Sequence, residues 1–443
     1  MGNRRPAILG FLAGVAACAT VAHGLAPAEA NPFSGLRQLG LFGDIYDRVR
    51  TSYVEKPDDA KMMEGAVNGM LATLDPHSQY LPPKAWQESQ SQTRGEFGGL
   101  GIEVTLQDGL VKVVSPIDDT PASRAGLQGS DLVTKVDGDA VLGMTLAQAV
   151  ERMRGAPGSK VVLTVLRGEG KKAFDVSLVR EVIRVRPVKA RLEGDVGYLR
   201  VTQFNERTGP DLKAAMEKLS KDAGADRLKG YVLDMRNNPG GLVDQAVAVT
   251  QAFIGHGTVV TLRGRDEADR QAFEAEGPDL SDGKPVAVLV NGGTASAAEI
   301  VAGALQDYHR ATLLGTRTFG KGSVQSMIPL GSQGALKLTT ARYYTPSGRS
   351  IQARGIDPDV TVREDVPEDL KGRDEIAGEA GLKGHLANGK DAKGGSSAYV
   401  PQDPRKDKAL HAALRLVRSG KAVPADTADG QAEATVPEPA GAE

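Results

Sequence analysis

Cysteine is almost absent from this chain. Its 443 residues include one, Cys18, which lies in an apolar N-terminal segment. The chain after position 18 therefore has no thiol, which excludes internal disulfides and a cysteine nucleophile from the body of the protein. A hydrophobic content of 40% over this length is sufficient for two or three globular domains, so we expect packed cores to provide the stability.

The chain also has few histidines and a net charge close to zero. A net charge of −2 without an arginine-rich or aromatic-basic strip argues against a nucleic-acid partner. No HExxH motif or other metal-ligand spacing occurs, so a metal site is not expected. His77, in the turn "LDPHSQY", is expected to have a structural polar role. The six histidines are His23, His77, His256, His309, His385 and His411.

The N-terminus has the pattern of an export signal. Arg4 and Arg5 precede the apolar run "PAILGFLAGVAACATVA", and "APAEAN" places small residues at Ala28 and Ala30. The pattern predicts export with cleavage after Ala30. An uncleaved membrane anchor and lipid attachment at Cys18 are the alternatives, and no later segment approaches transmembrane length.

The hydrophobic pattern divides the chain into five regions. Helical spacing predicts a small N-terminal helical region, and short β-like segments broken by glycine turns follow it. Strands and helices then alternate, as in "PVAVLV" and "SAAEIVAGALQDY", which predicts an α/β core. The last part is polar except for "KDKALHAALRLVRSG", which suits one helix, and its end is expected to be a disordered tail. The predicted regions are an export signal at 1–30, a helical region at 31–96, a β module at 97–186, an α/β core at 187–365 and a low-complexity region at 366–443.

The stretch "VNGGTASAAEIV" contains a candidate nucleophile. Ser296 follows two glycines and precedes a predicted helix, and no histidine is suitably placed to activate it, since His309 is more than three helical turns further on. A lysine whose pKa is depressed by burial can act as the base instead. Lys321 in "GTRTFGKGSVQ" is flanked by glycines, and Gln325 would share one face of an extended segment with it.

Two backbone features favour acyl transfer. The start of the helix after Ser296 directs N–H groups, including that of Ala297, towards developing negative charge. The turn "LDMRNNPGGLV" offers the amides of Gly240 and Gly241, and one of these with Ala297 would form an oxyanion hole. Each of these features also has a purely structural explanation, because a serine at a helix start is often a helix cap and glycines in such a sequence often form turns.

The chain resembles the C-terminal processing peptidases, which are serine peptidases with a Ser-Lys dyad and an assisting glutamine. The motifs that carry the resemblance are "LDPHSQYL", "GEFGGLGIEV", "LDMRNNPGG", "NGGTASAAEI", "GTRTFGKGSVQ" and "ARYYTPSGRSIQARGIDPDV". It implies a crotonase-like or ClpP-like α/β peptidase core with an inserted PDZ module. It also implies that Ser296 is the nucleophile, Lys321 the general base and Gln325 the assisting residue.

The resemblance identifies the β module as a PDZ domain. The turn "FGGLGIEV" exposes successive N–H groups that can hold a terminal carboxylate while the strand edge pairs with a peptide. Val104 is as consistent with a core position as with the pocket. The expected peptide-binding residues are Gly98, Gly99, Leu100, Gly101 and Ile102.

The expected partners are protein and peptide substrates with apolar C-termini. The resemblance further implies a periplasmic or envelope-associated protein without metal or organic cofactor, a homo-oligomer formed through terminal helices, and a helper protein that delivers substrate. Two alternatives stay open: a non-catalytic PDZ scaffold, and an acyl-coenzyme A enzyme, which the export signal disfavours.

Overall fold

The computed structural model describes residues 32–117, 119–168, 172–184, 186–224, 226–388 and 392–420. The predicted export signal, Cys18 and the predicted disordered tail at residues 424–443 lie outside this part of the chain. The chain divides into one unit that ends at Val67 and a second that begins at Asn68.

The first unit is helical, as its periodicity predicted. It contains α1 (Pro32–Ser52) and most of α2 (Asp59–Ala72). Large apolar side chains on α1 are exposed, among them Leu39 and Ile45. Across the described ranges, we find no helix with the length and apolar character needed to span a membrane.

The β module begins after a short strand and a helix, β1 (Gln79–Leu81) and α3 (Pro83–Thr93). Its main sheet has the strand order β3-β4-β5-β7-β8, with β6 paired to β5, while β2 pairs with β9. Val111, Val133 and Leu163 are fully buried in its core. Its elements are β2 (Glu96–Gly99), β3 (Ile102–Gln107), β4 (Leu110–Pro116), α4 (Pro121–Arg124), β5 (Leu132–Val136), β6 (Asp139–Ala140), α5 (Leu146–Met153), β7 (Lys160–Arg167), β8 (Lys172–Val179) and β9 (Glu181–Arg184).

The α/β core is built on a sheet with the order β10-β11-β12-β15-β16-β19, which is parallel from β11 onward. Its central strands are buried along their whole length, as expected when helices cover both faces of a parallel sheet. The elements are β10 (Val188–Glu193), β11 (Val196–Val201), α6 (Thr208–Ala223), β12 (Gly230–Asp234), α7 (Val243–Ile254), β15 (Val286–Val290), α8 (Ala297–Asp307), β16 (Thr312–Gly315), β19 (Val360–Thr361) and α9 (Lys408–Ser419).

Helices α6, α7 and α8 pack on one face of this sheet, and α9 packs on the other. Leu410 and Ala413 of α9 are buried against Leu289 of β15. The helix predicted near the C-terminus is therefore present, and it completes a three-layer core.

A second, antiparallel sheet lies beside the core. Its order is β1-β18-β13-β14, and β17 pairs with the other edge of β18. β17 continues the chain from the lysine turn, so this sheet determines where that turn lies. The remaining strands of this sheet are β13 (His256–Arg263), β14 (Gln271–Glu276), β17 (Ser323–Pro329) and β18 (Ala335–Tyr344).

The region predicted to be of low complexity from residue 366 contains ordered structure. Strands β20 (Glu375–Ile376) and β21 (Ser396–Ser397) pair with each other, and the intervening Glu379 is fully buried. Its backbone N–H donates to Phe319 O at 2.9 Å. Composition does not reveal this ordered structure, because isolated polar residues that pack against loops leave no periodic pattern in the sequence.

Candidate active site

Ser296 lies in a strained turn at the carboxyl end of β15. Its backbone has φ +56° and ψ −118°, a conformation that side-chain-bearing residues rarely adopt and that the surrounding structure must impose. Two bonds fix the turn: Ala295 N–H donates to Asn238 O at 2.9 Å, and Thr294 Oγ1 donates to Met235 O at 2.9 Å. The turn that carries Ser296 is thus attached to the Asn-Asn-Pro-Gly-Gly turn at the end of β12.

Lys321 and Gln325 are hydrogen-bonded as the sequence spacing predicted. Lys321 Nζ donates to Gln325 Oε1 at 2.6 Å, while Gln325 Nε2 donates to Ser323 Oγ at 3.0 Å and Thr339 Oγ1 at 3.2 Å. The glutamine is therefore oriented with its oxygen towards the lysine. This geometry uses the same face of the extended segment that the alternation indicated.

The pKa of Lys321 is lowered to about 8, mainly by burial and to a smaller extent by the positive charge of Lys337. Three carboxylates act in the opposite direction and raise the pKa, namely Glu379, Glu299 and Asp75. Desolvation outweighs them, so a neutral amine is accessible near physiological pH. From the sequence, only the neutral amide of Gln325 was expected beside the lysine, and these acidic neighbours were not predicted.

Glu299 connects the serine turn with the lysine turn. Its Oε2 accepts the backbone N–H of Ser296 at 2.8 Å and that of Lys321 at 2.9 Å. Its Oε1 accepts Thr318 Oγ1 at 2.5 Å and Gly320 N–H at 2.7 Å. Burial raises the pKa of this carboxyl to about 7, although all four donors favour its ionised form.

The Ser296 side chain has Tyr343 as a neighbour. Burial raises the pKa of Tyr343 to about 12, and a hydrogen-bonding interaction with Ser296 partly offsets this rise. Within the described ranges, no hydrogen bond joins the Ser296 hydroxyl to the Lys321 amine. Catalytic hydrogen bonds are often long without substrate and shorten when the complex forms, so this arrangement is compatible with a dyad.

The glycine turn after β12 lies directly against Ser296. A Cβ on Gly240 would be 2.8 Å from Ser296 Cβ and 2.9 Å from Ala297 N. The Gly240 N–H is already bonded to Asn238 Oδ1 at 2.9 Å. In the part of the chain that the structure describes, the N–H groups of Gly241 and Ala297 donate to no protein acceptor.

Arg236 attaches the base of this glycine turn to α9. Its guanidinium is buried and donates to Asp234 Oδ2 at 2.7 Å and to both carboxylate oxygens of Asp407 at 2.9 and 2.8 Å. Asp407 also caps α9, accepting Leu410 N–H at 2.8 Å. Burial acts to raise the pKa of Asp234, but the charge of Arg236 outweighs it and holds the pKa low.

The expected peptide-binding turn lies at the edge strand β3 of the β module. A cavity of about 70 Å³ lies between this strand and α5. Leu100 is buried in the core of the module, so its side chain is mainly structural. Among the described residues, the N–H groups of Leu100 and Gly101 have no acceptor. The residues that line the cavity are Phe97, Gly99, Leu100, Gly101, Ile102, Val104, Val150, Met153 and Arg154.

The remaining expected residue, Gly98, has a packing role in this turn. Its carbonyl accepts Gly155 N–H at 3.3 Å, and a side chain at Gly98 would collide with Gly155 O. It belongs to β2, which pairs with β9. It does not line the cavity beside α5.

Sequence reasoning missed several residues around the lysine. Glu299 had a readable signal, because a serine followed three positions later by glutamate at a helix start is the pattern of a capping box. Glu379 had no such signal in the sequence, since it lies in an irregular segment far along the chain. In the sequence, Tyr343 and Thr339 look like ordinary strand residues. Only the pairing of β17 with β18 brings their strand to the site.

Three family models match this chain. A model described as Peptidase family S41 matches residues 195–362, and a PDZ domain model matches residues 98–178. A model described as the activating protease CtpB N-terminal domain matches residues 21–85.

Several known proteins are similar to this chain. A carboxy-terminal-processing protease of Bartonella bacilliformis is 53% identical over 390 residues, which cover 88% of this chain and 90% of that protein. A protein of Staphylococcus aureus named "Probable CtpA-like serine protease" is 38% identical over 335 residues, 74% of this chain and 65% of its own length. The solved photosystem II D1 C-terminal processing protease is 30% identical, with a TM-score of 0.44, and the match covers 78% of this chain and 97% of that one.

Proposed function

The chain belongs to peptidase family S41 as a carboxy-terminal-processing serine protease, and we propose that Ser296 and Lys321 are its catalytic dyad. The observation that supports this most directly is the partly buried Lys321, whose amine is oriented by Gln325 and whose turn shares Glu299 with the serine turn. Membership in a protease family argues against the scaffold and acyl-coenzyme A alternatives.

The reaction begins with proton transfer from Ser296 to Lys321. The neutral amine accepts the hydroxyl proton as Oγ attacks the scissile carbonyl carbon, and a tetrahedral intermediate forms. The resulting ammonium protonates the leaving amine, which departs and leaves an acyl-enzyme. Water then attacks the ester with Lys321 again as base, which releases the acid product and restores Ser296. Gln325 keeps the amine oriented without adding charge.

The oxyanion of the intermediate is bound by backbone amides. Gly241 and Ala297 are the donors, because their N–H groups are free of protein acceptors while that of Gly240 is occupied. Gly240 contributes by its lack of a side chain, which allows the two turns to approach closely. Donors fixed in advance stabilise the developing charge without a reorganisation cost.

The PDZ module recognises substrates with apolar C-termini. The free N–H groups of Leu100 and Gly101 hold the terminal carboxylate, and the edge strand β3 pairs with the peptide backbone. Ile102 and Val104 provide apolar contacts beside α5. Cleavage then takes place near the captured end.

The protein acts after export to the periplasm or cell envelope. Residues 1–30 carry the export pattern, with cleavage after Ala30 preferred over an uncleaved anchor or lipid at Cys18. The exposed apolar side chains of α1 favour self-association into a homo-oligomer or docking of a helper protein.

The test is proteolysis by residues 31–443 of a loosely folded substrate with an apolar C-terminus. Ser296→Ala and Lys321→Ala should each lose activity by at least about a hundredfold while staying folded, since general-base catalysis contributes ~10²–10⁴-fold. Ser332→Ala and Lys371→Ala, which remove the same groups at exposed positions, serve as matched controls. Wild-type activity in either dyad variant would overturn the proposal.

A further inference from the structure

Three segments far apart in the chain meet at the carboxylate of Glu379. His77 Nε2 lies 2.9 Å from Glu379 Oε2 and 3.1 Å from Oε1. Gln352 Nε2 donates to Oε1 at 2.9 Å. The carboxylate is fully buried, and the polar role expected for His77 is thus a bond across the fold.

Gln352 continues this connection to the lysine turn. Its Oε1 accepts the N–H of Gly322 at 3.0 Å, and the next residue, Ala353, donates its N–H to Gly320 O at 2.8 Å. Both glycines that flank Lys321 are therefore held by residues 352–353. Because Gln352 is itself fully buried, the position of Lys321 depends on this contact.

Glu379 also acts on Lys321 through its charge. Burial acts to raise the pKa of Glu379, but hydrogen bonds from His77 and Gln352 outweigh it and keep the pKa below its usual value, so the group is ionised. Among the groups that raise the pKa of Lys321, Glu379 has the largest effect. The other charged groups facing the lysine are Lys337 from β18, Glu299 from α8 and Asp75 from the turn before β1.

We propose that Glu379, held by His77 and Gln352, is a positioning residue that stabilises the ammonium formed on Lys321 when it takes the proton of Ser296. This rests on the proposed role of Lys321 as the general base. The lysine gains positive charge in the transition state, and a buried negative charge nearby lowers the energy of that state. The same charge prevents burial alone from making the lysine too weak a base.

The test is the pH dependence of kcat and KM for Glu379→Gln. The amide keeps the size and some hydrogen bonds and removes the charge, so the rising limb should move to lower pH by about one pH unit. The plateau kcat should fall by about tenfold or more with KM little changed, because only the transition state loses the interaction. Glu375→Gln, the same change at an exposed position on the same segment, should leave both values unchanged.

A second variant weakens the same charge indirectly. His77→Phe removes a hydrogen bond that keeps Glu379 ionised, so the buried carboxylate binds a proton more readily and the limb should move to lower pH, as in Glu379→Gln. The pH profile of His77→Phe also tests the role of Glu379 if Glu379→Gln does not fold. An unmoved limb in the folded variants, with Lys321→Ala inert, would overturn the role of Glu379 and leave the dyad intact. An active Lys321→Ala would instead overturn the proposed function.

Discussion

The backbone N–H groups of Ser296 and Lys321 donate to one and the same carboxylate oxygen, at 2.8 and 2.9 Å. The oxygen is Oε2 of Glu299, which lies in the first turn of α8. One buried side chain therefore sets the separation of the two turns that carry the proposed nucleophile and base. All four hydrogen bonds at this carboxylate are donated to it, so both of its oxygens must act as acceptors.

Glu299→Gln should lower kcat with little change in KM. The amide group places an N–H₂ donor against at least one of the existing donors, so one turn must shift. A displacement of about 1 Å in a catalytic group can cost ~10²-fold in rate. Steady-state kinetics on the folded variant would measure this, with the exposed Glu368→Gln as control. Unchanged kcat would mean that the turns keep their positions without Glu299.

The pH profile of the wild-type enzyme should contain two ionisations. Lys321 must be neutral, and its neutral fraction rises with pH through about 8. Glu299 must be ionised, and its ionised fraction rises through about 7. The logarithm of kcat/KM should therefore rise with a slope near two below the lower value and near one between the values. A profile flat from about pH 6 to 9 would contradict the lysine base.

Gly241→Ala should abolish activity. The glycine has φ +141°, and a Cβ there would collide with Phe204 O, so the turn that presents the N–H must move. Gly348→Ala is the matched control, because Gly348 also has positive φ, +83°, but has open space around it. The control should lose only ~1–2 kcal/mol of stability from backbone strain and keep its activity. Equal losses in both variants would show that strain alone is responsible.

Arg236→Ala should strongly destabilise the α/β core. It leaves Asp234 and Asp407 as uncompensated buried charges, which costs ~3–5 kcal/mol for a pair of this kind. Arg405→Ala, which removes an exposed pair with Asp403, should leave the free energy of unfolding almost unchanged, because exposed ion pairs contribute little. Urea unfolding followed by circular dichroism measures both variants. A small effect at Arg236 would mean that α9 is held by its apolar contacts alone.

Ile102→Glu should weaken binding of peptides with an apolar C-terminus to the PDZ module. The side chain lines the cavity between β3 and α5, and a carboxylate there would repel the peptide terminus and remain poorly solvated. We expect a loss of roughly tenfold or more in affinity, which corresponds to 1.4 kcal/mol. Glu103→Gln, at an exposed neighbouring position, is the control. Calorimetric titration with a short peptide provides the measurement.

The sequence alone determined the order of helical and strand segments and the candidate dyad residues. Uninterrupted apolar runs such as that of β15 are typical of buried parallel strands, and the spacing of Lys321 and Gln325 predicted the bond that joins them. These inferences succeeded because each depends on residues close together in the chain. Local periodicity and local spacing are written directly into the order of residues.

Only the tertiary structure decided what surrounds Lys321. Glu379, His77 and Thr339 come from separate segments, and no spacing rule connects them to the lysine. The pKa of Lys321 is a balance between burial and the charges of Lys337, Glu379, Glu299 and Asp75, so the shift exists only once the chain is folded. The sequence could name a candidate base, whereas the basicity of its amine is set by contacts between parts of the chain that are remote from one another.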